Sequence, residues 1–312
     1  MLFAALSIAW GVPYLFIKIA VDELDPATVV LGRSALGALA LLPLALFRKQ
    51  VLPVLRRWKP LLIYTAVEIV IPWYFISSAE TRLPSSTVGL LIAAVPLVGV
   101  AVAFAFGRPE KLSVANWIGI VAGMLGVAAL VGLEIGGSDL FAVGEIAVVV
   151  VGYAVGPAIL ARHMSDLPGV GVVAVSLAIT ALVYVPIVLL TGGWPTTVPS
   201  LPVIGSVVGL ALICSAAAFL LMFALIAEIG PMRATTITYV NPAVAIVAGV
   251  LVLGEQVTVW TVIGFVLVLA GSYLVTKRRR SVPEAPPGPA AAPAVVDRTV
   301  EPSERRRQPP ES

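Results

Sequence analysis

The chain has 312 residues, of which 59% are hydrophobic and 12% charged, with a net charge of +3 and a mean hydropathy of +1.04. Soluble domains carry about 25% charged residues, and their volume limits the apolar share that they can bury. The composition therefore excludes an ordinary soluble protein and indicates that lipid surrounds much of the chain.

Ten apolar segments follow one another, each near the roughly 20 residues that cross a bilayer as a helix. They run from Leu2 to Val21, Ala27 to Phe47, Pro60 to Ala79, Ser85 to Phe106, Val114 to Leu133, Leu140 to Ala161, Gly169 to Leu190, Leu201 to Ala227, Ala234 to Leu253 and Val257 to Thr276. The predicted fold class is an all-α integral membrane protein of about ten transmembrane helices. Residues 278–312 combine proline, alanine and charge, which predicts a disordered cytoplasmic tail.

An internal repeat divides the ten segments into two sets of five. The matching positions are Pro96 with Pro242, Gly107 with Gly254, and the pair Gly119/Gly126 with Gly264/Gly271. We predict one repeat over residues 1–134 and a second over residues 139–277. Because five is an odd number, the second repeat enters the membrane upside down relative to the first, which is an architecture typical of secondary transporters.

Basic residues occur mainly in alternate loops, with Arg82 as the clear exception. These loops contain Arg48 to Lys59, Arg108 and Lys111, Arg162, Arg233, and Lys277 to Arg280. Cytoplasmic loops carry this excess of positive charge, so both termini are predicted to be cytoplasmic in a plasma or inner membrane. The basic clusters suit anionic lipid headgroups rather than nucleic acid.

Several short motifs occur in the same order as in a known family. They are Trp10-Gly11, Lys18, Asp25-Pro26 and Arg33 in the first half, and Tyr239-Val240-Asn241-Pro242, Gly254-Glu255 and the Gly264/Gly271 pair in the second. Together with the repeat, they make the chain resemble the EamA-type members of the drug/metabolite transporter superfamily. The resemblance implies a ten-helix carrier with a central cavity that moves small metabolites, often outward. One departure is Gly107-Arg108-Pro109-Glu110, which is longer and more basic than its counterpart Gly254-Glu255.

Charged residues within the apolar segments are the best candidates for function, since a charge at mid-membrane costs roughly 2.5–3.5 kcal/mol. Glu68 lies about 12 Å into the third segment, near the depth at which carriers bind their substrates. We predict a proton-coupling or substrate-binding role for it, with a hydrogen-bonded structural carboxyl as the alternative. Arg33 suits an anionic substrate group, or a packing ion pair with Glu145. Lys18 either reaches the interface or contacts the cavity.

Other candidates have both structural and functional interpretations. Pro96 and Pro242 break their helices, and the carbonyls that each proline frees need partners, which a central site or simple packing could supply. Asn241 could serve such a carbonyl or contact substrate. Four aromatic residues could line a ligand site or anchor the packing: Trp73, Tyr74, Tyr153 and Tyr239. Gly119-x-x-x-Gly123 and Gly205-x-x-x-Gly209 predict close helix packing.

Catalytic motifs are missing from the sequence. It contains no P-loop, dinucleotide fingerprint, zinc-protease motif or serine-hydrolase elbow, and it has one histidine, His163, and one cysteine, Cys214. We therefore predict a carrier that is not an enzyme and uses no cofactor or metal, with a small, amino-acid-like or drug-like organic metabolite as substrate and possible proton coupling. An intramembrane enzyme and a non-transporting scaffold or sensor are the alternatives. Substrate identity, direction, coupling ion and oligomeric state stay open.

Overall fold

Apolar helices form most of the structure, a computed structural model that describes residues 1–105, 113–131, 139–230 and 235–276. The α-helices are α1 (Leu2–Gly11), α2 (Pro13–Val21), α3 (Pro26–Phe47), α4 (Val51–Arg56), α5 (Trp58–Thr65), α6 (Ile71–Glu80), α7 (Ser85–Ile92), α8 (Val95–Ala105), α9 (Val114–Ala129), α10 (Leu140–His163), α11 (Gly169–Thr191), α12 (Leu201–Ala211), α13 (Ala218–Ile229), α14 (Asn241–Leu253) and α15 (Val259–Thr276). Within these ranges there is no β-strand.

Eight helical stretches of the described residues, some with a local break, are long and apolar enough to cross a membrane. Two further apolar helices, Val114–Ala129 and Ile237–Leu253, are shorter. The all-helical class is therefore confirmed for the described residues, with eight candidate membrane spans. The count of ten transmembrane helices stays a prediction. The predicted turn at Gly107, the loops around Arg108 and Glu134, Arg233 and the C-terminal tail lie outside the described residues.

The main differences from the predicted segments are local breaks. The first segment is interrupted at Val12, because Pro13 begins α2 and lacks the N–H that would continue the helix. The predicted loop from Arg48 to Lys59 contains the short helix α4. Two segments contain a π-helical turn in their middle, Ala66–Val70 between α5 and α6 and Leu212–Ala217 between α12 and α13. Such turns often mark functional sites in helices.

The most extensive helix pairs are α9 with α15 and α3 with α11. Glycines make the first of these close: a Cβ at Gly271 would lie 2.5 Å from the carbonyl oxygen of Gly119 and 2.6 Å from the backbone nitrogen of Gly123. The second predicted glycine motif is corrected by the structure. Gly209 packs against Phe16, but nothing lies within 4 Å of a Cβ built at Gly205, because no helix of the described residues packs on that face of α12.

Hydrogen bonds between loops show which loops lie at the same end of the bundle. At one end, called here the Glu255 end, hydrogen bonds join Thr28 to Gly193, Ser200 to Glu23 and Ser85 to Glu255. At the other, called the Arg57 end, Arg57 forms two hydrogen bonds of 2.7 and 2.8 Å with the Asp166 carboxylate. Helix α3 runs from the Glu255 end towards the Arg57 end, and α11 runs in the opposite direction.

Candidate functional site

Arg33 is a charged residue buried inside the helix bundle. It lies on α3, about 10 Å from the start of that helix, and only 7% of its surface is exposed. Its Nε donates a 3.0 Å hydrogen bond to Ser215 Oγ in the second π-helical turn. Its guanidinium carbon lies 3.6 Å from the centroid of the Trp73 ring, a distance at which a cation–π interaction is favourable.

Arg33 belongs to neither ion pair found among the described residues, which are Arg57–Asp166 and Arg82–Glu145. The predicted packing partner of Arg33, Glu145, is therefore corrected: it pairs with Arg82 and also accepts a 2.7 Å hydrogen bond from Ser78. The reason is helix packing, since α10 lies along α6 rather than along α3. A buried cation is left without a carboxylate bonded to it.

Aromatic and polar side chains complete the surroundings of Arg33. Trp73 lies beside the Tyr153 hydroxyl, and Tyr14, Tyr153 and Cys214 all lie within electrostatic range of the guanidinium. We call Arg33, Trp73, Tyr153 and Ser215 the central cluster. It draws on α3, α6, α10 and the π-helical turn after α12, so it brings together residues from both halves of the chain.

Glu68 lies beside this cluster, in the first π-helical turn. Its nearest titratable neighbours include Tyr64 and Tyr153. One carboxyl oxygen, Oε2, is buried and has no hydrogen-bond partner among the described residues. Two glycines of α10 allow this approach: a Cβ at Gly152 would lie 2.5 Å from the carbonyl oxygen of Val67, and one at Gly156 would overlap the Glu68 carboxylate.

We expect Gly156→Ala to displace Glu68 and to lower the free energy of unfolding by about 1–3 kcal/mol, the usual cost of overpacking. Gly144→Ala is the matched control on the same helix, because a Cβ there meets nothing within 4 Å. Unfolding temperatures of both variants in detergent test this expectation. Equal temperatures for the two would show that Glu68 moves away at no cost.

The second half of the chain has a hydrogen bond that corresponds in position to the bond between Arg33 and Ser215. Ser176 lies seven residues after Gly169, the first residue of α11, just as Arg33 lies seven residues after Pro26, the first residue of α3. Thr65 Oγ1, next to the first π-helical turn, donates to Ser176 Oγ at 2.9 Å. Each π-helical turn therefore has, within it or directly before it, a side chain that bonds to a helix of the other half. Only the bond made by Arg33 involves a charged side chain.

Lys18 lies apart from the central cluster, at the Glu255 end. Its Nζ donates to the carbonyl oxygens of Glu80 (2.6 Å) and Leu83 (3.2 Å), just beyond the last turn of α6. The Glu255 carboxylate accepts from the backbone N–H groups of Ser85 (2.7 Å) and Ser86 (3.0 Å), at the start of α7. Lys18 and Glu255 also line a cleft of about 370 Å³ at this end.

The two predicted helix breaks correspond in position. Pro96 is the second residue of α8 and Pro242 the second residue of α14, and each follows a short irregular stretch. Near Pro96, the carbonyl oxygen of Ala93 accepts a 2.9 Å hydrogen bond from Ser272 Oγ of α15. The amide of Asn241, oriented to satisfy its neighbours, donates to the carbonyl oxygens of Ser7 and Ile237. Side chains therefore bond backbone carbonyls close to both breaks.

The remaining aromatic candidates lie elsewhere. The Tyr239 hydroxyl contacts Thr276 and the carbonyl oxygen of Ser272 on α15, which places it near the Arg57 end. Tyr74 stacks on Tyr184, with ring centroids 6.4 Å apart. The structure thus unites Arg33, Trp73 and Tyr153, places Glu68 beside them, and separates Lys18, Tyr239 and Asn241 from them.

Sequence reasoning missed two residues of the site. Ser215 is an ordinary residue within an apolar run, and nothing in its spacing indicates that it faces Arg33. The predicted third segment stops at Ala79, whereas the structure extends α6 by one residue to Glu80, whose side chain is fully buried. Its position only four residues before Pro84 was a signal, because the helix could reach that far before the proline.

Comparison with known proteins gives a consistent family result. The model of the EamA-like transporter family matches residues 1–132 and 140–277. A relative from Escherichia coli (strain K12), described as an uncharacterized inner membrane transporter, YedA, is 29% identical, with 95% of each chain covered. A relative from Bacillus subtilis (strain 168), the uncharacterized transporter YvbV, is 24% identical over 90% of this chain and 92% of its own length.

The fold is shared with solved structures, among them one crystal structure. It superposes with a TM-score of 0.64, is 20% identical in sequence, and covers 88% of this chain and 95% of its own. At that identity the likeness concerns the fold alone.

Proposed function

The chain belongs to the EamA-like transporter family, and from that premise we propose that its central cluster binds a small organic solute with a carboxylate or similar anionic group. The family and the relatives point to transport rather than catalysis, in a multi-pass membrane protein. The observation that carries the proposal is Arg33, a buried guanidinium in a spanning helix to which no carboxylate of the described chain is bonded.

The substrate class follows from the geometry around Arg33. Its Nε is used by Ser215 and one face lies on Trp73, whereas its two terminal nitrogens make no hydrogen bond within the described residues. A guanidinium offers these nitrogens as a fork that matches a carboxylate or phosphate. Trp73 and Tyr153 add apolar and hydrogen-bonding surface for the rest of a small metabolite, and Glu68 nearby suits an ammonium group. An amino-acid-like solute satisfies all three features.

Proton coupling is the second part of the proposal and is assigned to Glu68. A buried carboxylate oxygen without a hydrogen-bond donor is costly to keep charged, so Glu68 exchanges a proton, or binds the substrate's amine, when the site opens to water. Its place in a π-helical turn supports this role, because the irregular backbone can rearrange as the helix moves.

We further propose ten transmembrane helices in two inverted repeats, residues 1–134 and 139–277, that alternate between openings at the two ends. The opposite directions of α3 and α11, the paired π-helical turns and the paired breaks before Pro96 and Pro242 support this arrangement. The basic residues near Arg57 favour a cytoplasmic position for that end and for both termini, and we propose export towards the Glu255 end.

The function is tested with the purified full-length chain. Small amino acids, other carboxylates and amines are screened for a rise in unfolding temperature, since a ligand that binds only the folded state stabilises it by about 2.7 kcal/mol at 100 times its Kd. Stabilising compounds are then followed as flux across proteoliposomes with and without a pH gradient. A screen without a stabilising anionic compound, or stabilising compounds that do not cross, would refute the proposal.

We expect Glu68→Gln to reduce gradient-driven flux to about the level seen without a pH gradient, while ligand-induced stabilisation is retained, because the amide cannot exchange a proton. Glu228→Gln, which changes an exposed carboxylate on α13, is the matched control. Unchanged gradient-driven flux in Glu68→Gln removes proton coupling from this residue. Lost stabilisation instead assigns Glu68 to the substrate's amine.

A further inference from the structure

Glu80 is a buried carboxyl that neither the family assignment nor the central cluster explains. It is the last residue of α6, and its side chain is 0% exposed. Both of its carboxyl oxygens lack a hydrogen-bond partner among the described residues, and it belongs to neither of their ion pairs. Buried polar groups almost always form hydrogen bonds, so two buried carboxyl oxygens without a partner require an explanation.

None of the charged groups nearest to Glu80 forms a hydrogen bond or an ion pair with its carboxyl oxygens among the described residues. Lys18 of α2 and Glu255, in the turn after α14, are its neighbours at this end, and Arg33 of α3 and Tyr14 of α2 lie on the side of the central cluster. Lys18 bonds the backbone carbonyl of Glu80 and not its carboxylate. On α10, which packs along α6, Glu145 is held by Arg82 and Ser78.

The hydrogen bonds of Lys18 and Glu255 cap two helix ends. The carbonyls at the end of a helix and the N–H groups at its start have no partners within the helix. Lys18 satisfies carbonyls at and just after the end of α6, and Glu255 satisfies N–H groups at the start of α7. An ionised Glu80 would compete for Lys18 and repel Glu255, and it would therefore weaken both caps. A neutral Glu80 is compatible with both.

We propose that Glu80 is a proton-binding site that controls closure of the Glu255 end of the transport pathway. With its proton bound, the carboxyl is neutral and the two caps hold α6 and α7 closed. When the proton passes to water in the cleft lined by Lys18 and Glu255, the carboxylate draws Lys18 away from its carbonyls and this end opens. The inference rests on the proposed transport function and adds a second proton site, separate from Glu68.

The native cysteine makes opening measurable without a substrate. Cys214 is the one cysteine of the chain, it is 1% exposed, and it lies within range of Arg33 in the centre of the bundle. Its reaction rate with a small maleimide is measured for wild type and Glu80→Gln on the acid and alkaline sides of neutral. The ratio of the two rates at each pH removes the intrinsic pH dependence of the thiol.

We expect wild type and Glu80→Gln to be labelled at nearly equal rates on the acid side. On the alkaline side we expect wild type to be labelled on the order of tenfold faster, a change of the size expected when the population of a minor conformation shifts. Glu23→Gln, an exposed carboxylate at the same end, should follow wild type. A ratio that stays constant with pH overturns the inference. Because no substrate is used, the labelling result is independent of the ligand screen: either can fail while the other succeeds.

Infrared spectroscopy of the wild-type chain provides a test that does not depend on folding of the variant. At neutral pH, a neutral carboxylic acid absorbs separately from ionised surface carboxylates, and we expect such a band. Where Glu80→Gln folds, part of that band should be lost. Absence of the band in wild type, or an undiminished band in Glu80→Gln, overturns the proton site.

Discussion

Arg33→Lys is expected to weaken binding of an anionic substrate about 10- to 100-fold, the loss of one charge-assisted hydrogen bond of about 1.5–3 kcal/mol. Lysine keeps the positive charge but lacks the planar fork and its stacking surface. The variant would therefore lose the second contact to a carboxylate, the cation–π contact with Trp73 and the bond to Ser215. The measurement is the ligand concentration that gives half of the maximal thermal stabilisation.

Arg57→Lys is the matched control for this experiment. Arg57 also presents a guanidinium fork to a carboxylate, but its pair with Asp166 is exposed at the end of the bundle, and exposed pairs contribute about 0–1 kcal/mol. Ligand affinity should be unchanged in this variant. Wild-type affinity in Arg33→Lys would mean that Arg33 serves packing, and the anion site would have to be sought elsewhere.

Gly271→Ala is expected to give the largest loss of stability, about 3 kcal/mol or more, at the upper end of the range for overpacking. The added methyl would meet the carbonyl oxygen of Gly119 at 2.5 Å and the nitrogen of Gly123 at 2.6 Å. These are backbone atoms of α9, so no side-chain rotation relieves the overlap and the two helices must separate. The unfolding temperature in detergent measures the effect.

Gly205→Ala is the corresponding control, because its new methyl has no atom within 4 Å. Alanine is also the better helix former, by roughly 0.8–1 kcal/mol in soluble helices, so this variant should be as stable as wild type or slightly more so. If both variants unfold at the wild-type temperature, the contact between α9 and α15 is not a main source of stability.

Much of the fold could be predicted because hydrophobicity in a membrane chain is dictated by the bilayer. Segments such as Leu140 to Ala161 and Gly169 to Leu190 agree with α10 and α11 within two residues at each end. The π-helical turns could not be predicted, because no residue type specifies them. They arise where α10 and α3 pack against residues such as Glu68 and Ser215.

The sequence allowed the charged residues of the candidate site to be selected, but it did not show which side chains bond to one another. A buried charge is costly wherever it occurs, so Arg33 and Glu68 could be selected from the sequence. Pairing depends on which helices are neighbours, and the repeat pattern does not state this. The alternative in which Arg33 pairs with Glu145 is therefore wrong, because α10 packs along α6 and brings Glu145 to Arg82.

The difference between Arg33 and Ser176 has a consequence for the energetics of a transport cycle. The two positions are equivalent in their helices, and each bonds next to a π-helical turn of the other half. A carrier built from identical halves would present the same affinity to both compartments. In the proposed transport cycle, the single guanidinium would bind the solute's anion through the same half of the chain throughout, so the affinities that face the two compartments would differ. The gradients of solute and coupling ion would still set the direction of net flux.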